Sequence, residues 1–164
     1  MSYYFIHDTP IGELILEANL DYLTKISFRG KMLNQVKASS LHRKNLILEK
    51  TVEQLDEYFF DNRRFFTINY FLNTTVFFKK VLLEVSLINF GKVKSYKQIA
   101  ALLKNKNAYR SVANANARNP LPIIIPCHRV IRSSGEVGGY AGGIPKKKYL
   151  LSHYKAPTNS PSVL

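Results

Sequence analysis
The spacing of apolar residues changes along this chain, and each change marks an element. Over residues 3–28, short β-prone runs alternate with turn residues: YYFI and ELILEA flank Thr9-Pro10-Ile11-Gly12, and Leu23-Thr24-Lys25-Ile26-Ser27-Phe28 reads as a third strand. Leu48, Val52, Leu55 and Phe59 are spaced four, three and four apart, which predicts a helix over 46–60. Residues 62–73 have no clear period, and a domain boundary is expected near Asn73.

From Thr74 onward the period is helical. Thr74 or Thr75 can cap a helix carrying Val81, Leu82, Val85 and Ile88, which Phe90-Gly91 ends. Ser95 can cap a second helix over 96–103, with Ile99, Leu102 and Leu103 on one side. A polar break over 104–107 leads to a third helix over 108–117, stopped by Asn119-Pro120. Two helices joined this way resemble a helix-turn-helix. The third helix, AYRSVANANA, has little bulk beyond Tyr109 and Arg110. Two readings of it stand: a small-residue helix packed tightly on a neighbour, or one that lets its backbone approach a groove while Arg110 reaches out. Ile123-Ile124-Ile125 reads as a short buried strand or the approach to one, and Pro126 forbids its regular continuation. Glycines at 135, 138, 139, 142 and 143 form a loop able to approach a flat ligand closely, without the spacing of a phosphate-binding loop. A last short helix is expected over 147–154, and a loose tail over 156–164.

These patterns predict an α+β fold. An N-terminal α/β domain with a small antiparallel sheet spans 1–73, and a mostly helical domain spans 74–155. No apolar run reaches the roughly 18 residues of a membrane span, and the start MSYYFIHDTPIG lacks signal-peptide features. The expectation is a cytoplasmic protein with no membrane partner, nucleoid-associated in a prokaryote or nuclear in a eukaryote.

Charge adds a partner class. The formal net charge is +13, but residues 1–90 hold 11 Lys/Arg against 10 Asp/Glu, whereas 91–155 hold 13 Lys/Arg against one acid, Glu136. A half this lopsided suits a surface that neutralises phosphates; a solvated basic face is the plainer alternative. The only cysteine, Cys127, excludes an internal disulfide and any zinc site needing several thiolates. It is followed by His128 and Arg129, with Arg132 close by, and nearby cations lower a thiol's pKa toward the nucleophilic thiolate. Neighbouring side chains on extended backbone usually point apart, so a direct Cys127–His128 contact is not assured, and a bridging water is the alternative route for the thiol proton. By itself the dipeptide is equally compatible with a buried, inert thiol.

Four motifs occur in order. Ile125-Pro126-Cys127-His128-Arg129-Val130-Ile131 resembles the active-site signature of the methylated-DNA–protein-cysteine methyltransferases, or 6-O-alkylguanine-DNA alkyltransferases. Phe90-Gly91-Lys92-Val93-Lys94-Ser95-Tyr96 resembles the stretch before that family's first helix-turn-helix element. Arg110-Ser111-Val112 with Asn119-Pro120 resembles its recognition helix and the Asn-Pro after it. Ser133-Ser134-Gly135 through Gly138-Gly139-Tyr140-Ala141-Gly142-Gly143 resembles its lesion-binding loop. The likeness is strong over 74–153 and looser over 1–72.

The resemblance implies a winged-helix-like second half that binds double-stranded DNA containing alkylated guanine in the minor groove. Arg110, Ser111, Ala113, Asn114 and Ala117 would form the DNA-facing side, with Arg110 filling the place of a flipped-out base. Cys127 would take the alkyl group from oxygen 6 of guanine, or from oxygen 4 of thymine, in a single displacement. Tyr96 would serve the leaving guanine at ring nitrogen 3. Val130, Val137, Tyr140 and Ala141 would wall the base, and Asn119 would tie the recognition helix to the cysteine turn. The product is a thioether, so the protein is consumed once, as a monomer, with no cofactor and no metal.

Some positions depart from the family. Phe77-Phe78 and Val81-Leu82 stand where Phe-Gln and Val-Trp are common, and Asn89 where a proline is common. Tyr154 stands where a glutamate orients the active-site histidine; Tyr154 is expected to take that place without supplying charge. The alternatives are a non-catalytic alkylated-DNA binding protein, a winged-helix regulator with an incidental cysteine, and a cysteine hydrolase. The presence of Cys127 argues against the first, and the Cys127-His128 adjacency against the last.

Overall fold
The computed structural model describes residues 1–31 and 40–153. Tyr154 and the tail expected over 156–164 lie outside them. Strands β1 (Tyr3–His7) and β2 (Leu14–Ala18) form an antiparallel hairpin. Its turn is closed by Gly12 N–H donating to Thr9 O at 2.9 Å and Thr9 Oγ1 donating to Gly12 O at 2.6 Å. Strand β3 (Leu23–Phe28) pairs antiparallel with β2. The short β4 (Leu41–His42) adds to the far edge of β1 in parallel, giving the order β3-β2-β1-β4. The sheet is therefore mixed rather than purely antiparallel, because the chain returns to pair only two residues along β1.

Helix α1 (Leu46–Phe60) packs across β1, β2 and β3. Asn45 caps it, its side chain accepting from Leu48 N–H at 3.0 Å. Its buried face carries Leu48, Thr51, Gln54, Leu55, Tyr58 and Phe59; Val52, expected on that face, is half-buried.

The second half is built on three helices: α2 (Val76–Ser86), α3 (Tyr96–Leu102) and α4 (Tyr109–Ala117). Thr75 caps α2, so its side chain rather than that of Thr74 takes the free N–H. Ile88 falls beyond the helix yet remains buried. Ser95 caps α3 in a full capping box, Ser95 Oγ accepting from Gln98 N–H and Gln98 Oε1 from Ser95 N–H. A parallel pair, β5 (Lys94–Ser95) with β6 (Val130–Ile131), sets the start of α3 beside the residues after Cys127. Helix α5 (Ile144–His153) begins three residues earlier than expected, with Pro145 in its first turn, where a missing N–H costs nothing.

One expectation fails. Residues 123–125 form no strand: Ile123 has φ 76°, and Ile125 N–H donates back to Leu121 O at 2.9 Å. Pro120 and Pro122 prevent regular pairing, so the buried segment turns instead. Such a φ on a β-branched residue costs of order 1–3 kcal/mol and persists only where surrounding packing enforces it. Residues 121–130 are all buried.

The outer edge of β3 joins the halves. Leu23 pairs with the 69–71 segment through Asn69 O and Phe71 N–H, and Ile26 N–H donates to Pro120 O at 2.8 Å. One apolar cluster continues through Leu16, Leu55, Leu82, Leu121 and Leu150. Leu55→Ala is expected to lower unfolding free energy by about 2–5 kcal/mol, whereas Leu46→Ala, 80% exposed on the same helix, changes it by less than about 0.5 kcal/mol. Urea unfolding of both variants checks this; equal losses would mean α1 does not pack through the Leu55 face.

Candidate active site around Cys127
Cys127 opens a single 3-10 turn, Cys127–Arg129, rather than lying on extended backbone. Main-chain bonds close the turn, Cys127 N–H donating to Ile125 O at 2.7 Å and Arg129 N–H to Pro126 O at 2.8 Å, and side chains add further donors to its carbonyls. Asn119 Nδ2 donates to Ile125 O at 2.9 Å, while its Oδ1 accepts from Leu121 N–H at 3.0 Å. Asn116 Nδ2, on α4, donates to Cys127 O at 3.2 Å. Lys147 Nζ, on α5, donates to Val130 O at 2.6 Å and to Gly139 O at 3.2 Å. Arg129 turns away from the thiol: its Nη1 donates to Ile88 O at 2.7 Å, and its guanidinium lies 5.5 Å from the Phe90 ring centroid.

Beside the cysteine is a cavity of about 350 Å³, lined by Tyr96, Ala113, Asn116, Ala117, Arg132, Gly138, Gly139, Tyr140 and Ala141. One wall is the small-residue face of α4, one is the first residue of α3, and one is the glycine loop. Gly138, at φ 74°, approaches Tyr96 so closely that an added Cβ would lie 3.1 Å from the hydroxyl. At Gly142 an added Cβ would lie 2.7 Å from the Phe28 ring, which also meets Tyr140 edge-on at 5.8 Å. The N-terminal sheet thus buttresses the loop from behind.

Of the residues singled out from sequence, Tyr96, Ala113, Ala117, Tyr140 and Ala141 line this cavity. Cys127, His128 and Val130 are buried, and Val137 sits half-buried on the loop, outside the lining. Arg110, Ser111 and Asn114 are exposed on α4. Asn119 makes the contacts above. Phe28, Asn116 and Lys147 were not anticipated, and Arg132, expected only as a cation near the thiol, lines the cavity. Asn116 is one asparagine among several in a small-residue helix, and Lys147 one lysine in a run of three; only the fold distinguishes them.

The electrostatics differ from the sequence expectation. Burial raises the Cys127 thiol to about 11, although the Asn119 side chain and the Lys147 ammonium pull it down. The expected lowering by Arg129 and Arg132 is absent because Arg129 is engaged elsewhere and Arg132, exposed, pairs with Glu136 at 3.1 Å. Burial holds His128 well below its usual value, reinforced by Arg129, Lys147 and His153, so its ring is neutral. Both its ring nitrogens lack a hydrogen-bond partner among the described residues. Burial, with Cys127 second, raises the Tyr96 hydroxyl; burial and then Cys127 raise that of Tyr140. No group of three or more metal-ligating side chains occurs among the described residues, and no helix there is long and apolar enough to cross a membrane.

Comparison with known proteins places two family models on the chain. The 6-O-methylguanine DNA methyltransferase, ribonuclease-like domain, matches residues 2–70, and the DNA binding domain of the same name matches 76–156. A methylated-DNA–protein-cysteine methyltransferase of Methanosarcina barkeri is 38% identical over 91% of this chain and 94% of its own. The constitutive one of Bacillus subtilis is 34% identical over 92% and 93%. A crystal structure of Mycobacterium tuberculosis OGT in complex with DNA superposes with a TM-score of 0.86 at 33% identity, covering 94% of this chain and 93% of that one.

The neutral state of His128 links the site to stability. Its folded pKa lies below the unfolded value, so the unfolded chain binds the extra proton. The stability this contributes is present above about pH 6.5 and is lost as pH falls toward the folded pKa. Between pH 7.5 and 5 the thermal midpoint should fall, and His128→Gln should fall less steeply by up to about one proton's worth of slope. Identical slopes would show that His128 titrates freely in the folded protein.

Proposed function
Since the chain belongs to the 6-O-methylguanine DNA methyltransferase family, we propose that the cavity beside Cys127 receives an alkylated guanine extruded from duplex DNA. The reaction is direct-reversal repair. Cys127 sulfur forms a bond to the alkyl carbon, the bond from that carbon to guanine oxygen 6 breaks, and its electron pair leaves with the guanine. The thiol proton goes to neutral His128, whose buried nitrogens have no competing partner among the described residues. Tyr96, on the cavity wall, donates to the leaving base as negative charge develops there. Its raised pKa keeps the phenol protonated for that task. The thioether has no route back to thiol, so each molecule acts once and needs no cofactor.

The observation that carries this reading is the pinned turn: a buried thiol, its backbone fixed by Asn116, Asn119 and Lys147, beside a cavity lined by small residues and aromatic rings. A flat base fits such walls. Val130 and Ala141 offer main-chain groups to its edge, with Tyr140 and Val137 flanking. On α4, exposed Arg110, Ser111, Asn114 and Ala117, with Ala113 behind them, bring a low-profile surface against the minor groove. Arg110 extends from the helix start, its guanidinium 5.9 Å from the Tyr109 ring centroid, placed to fill the gap left by the base. Asn119 holds α4 and the cysteine turn in register. The protein acts on double-stranded DNA as a monomer; the relative crystallised with DNA and the basic second half support the DNA-binding part of this reading.

Incubation with a duplex containing 6-O-methylguanine should add one methyl group to the protein's intact mass, at Cys127, and stop at one equivalent. Cys127→Ala should abolish the gain and retain duplex binding. Turnover beyond one equivalent, or transfer in the variant, would refute the mechanism. Arg110→Ala should slow repair in duplex DNA at least about tenfold more than transfer from free 6-O-benzylguanine, because only the duplex substrate must be unstacked at a cost of a few kcal/mol. Equal slowing on both would remove Arg110 from the finger role.

A further inference from the structure
A second cavity, of about 260 Å³, lies where the two halves meet, between the segment after α1, the turn after α2 and the buried 123–129 segment. Its lining includes Arg64, Tyr70, Asn89, Phe90 and Arg129, but no acidic residue and no residue of α4 or of the glycine loop. It shares no lining residue with the cavity beside Cys127. Arg129 is only 5% exposed there. A guanidinium carries five N–H donors. Nη1 donates to Ile88 O at 2.7 Å, whereas Nε, shut off from water, has no partner among the described residues. An unmet buried donor is costly, and most of all on a charged group.

No carboxylate answers this charge. Among the described residues neither Arg129 nor Arg64 makes an ion pair, and the neighbouring Glu57 is taken by Arg63. Arg64 is exposed and brings a second cation to the same place. The guanidinium carbons of Arg64 and Arg129 lie 5.9 Å and 5.5 Å from the centroid of one ring, that of Phe90. Like charges gathered this closely repel, and a buried one without a counter-ion is unfavourable. The Tyr70 hydroxyl and the Asn89 side chain, on the same lining, hydrogen-bond to no other described residue and are free to donate.

We propose that this cavity is a binding site for a small free oxyanion of the phosphate class, held by Arg129 at its floor and Arg64 at its mouth. The planar guanidinium fork matches paired oxygens, and hydrogen bonds between opposite charges are the strong ones. The volume falls just below the roughly 300–1,000 Å³ of pockets for organic ligands, so it suits a single phosphate-sized group rather than a nucleotide. A backbone phosphate of DNA fits less well. The mouth belongs to residues 1–90, where 11 Lys/Arg stand against 10 Asp/Glu, and the face of α4 is not part of it. A bound oxyanion fastens the 123–129 segment to the segments after α1 and α2, and so stabilises the folded chain. None of this depends on Cys127 accepting an alkyl group.

The test titrates inorganic phosphate into the full chain at constant ionic strength, followed by phosphorus NMR and by the thermal midpoint. Wild type should bind saturably, and its midpoint should rise as phosphate fills the site. Arg129→Gln should weaken binding at least about tenfold, and Arg64→Gln, screened at the mouth, about threefold. Lys80→Gln removes the same charge from an exposed position outside the cavity and should leave binding unchanged. Unmodified duplex should neither displace the phosphate nor bind more weakly to Arg64→Gln. Absence of saturable binding would overturn the proposal. So would equal losses in Arg64→Gln and Lys80→Gln, which would mean diffuse attraction to a basic surface only. Displacement by duplex, with weaker duplex binding to Arg64→Gln, would make the occupant a DNA phosphate and overturn the free-oxyanion assignment. If Arg129→Gln does not fold, the contrast between Arg64→Gln and Lys80→Gln still decides.

Discussion
Everything at the site depends on the hydrogen bonding of a buried segment that is neither helix nor sheet. Backbone carbonyls shut away from water need donors, and a strand or helix would have supplied them locally. Between Leu121 and Val130 main-chain N–H groups supply part of this, Ile125 to Leu121 O, Cys127 to Ile125 O and Arg129 to Pro126 O, and side chains on separate elements add further donors: Asn116 from α4, Asn119 just beyond it, and Lys147 from α5. Each bond ties the cysteine turn to another piece of the fold. Helix α4, the cysteine turn and the glycine loop are therefore tethered to one another.

Charge is divided between surface and interior. The exposed cations of the second half, Arg110 and Lys148 among them, face solvent and offer long-range attraction for phosphates. The buried ones act over short distances on carbonyls and on the thiol. Burial alone keeps Cys127 protonated, which makes a consumable reagent slow toward stray electrophiles.

The N-terminal half is part of the site. Phe28, at the end of β3, packs against Tyr140 and occupies the space a side chain at Gly142 would fill. The same strand takes Pro120 O onto its edge at Ile26, just after α4, whose small residues line the cavity. The sheet sets the position of both cavity walls while contributing no group to the chemistry.

The elements were largely legible because local physics specifies them. Short β-prone runs between turn residues made β1 to β3, four-three-four spacing made α1, and Thr75 and Ser95 capped α2 and α3 through hydrogen bonds that reach only three residues. The nucleophile was legible too, since a single cysteine in an ordered set of motifs leaves little choice. Other features depended on contacts between residues far apart in the chain. The isoleucine run looked like a strand by composition, but the prolines around it and the packing above it forced Ile123 into positive φ. The short β4 joins β1 in parallel, a pairing that no local pattern encodes. The thiol's pKa rises where neighbouring cations in sequence suggested a fall, because burial depends on the whole fold and Arg129 is drawn to Ile88 O, 41 residues away. Lys147 differs from Lys146 and Lys148 only in the direction in which α5 points it, and that direction is set by how α5 docks. Sequence alone determined which chemistry is available; tertiary structure decided which charges face it, because burial and long-range hydrogen bonds exist only once the chain has closed on itself.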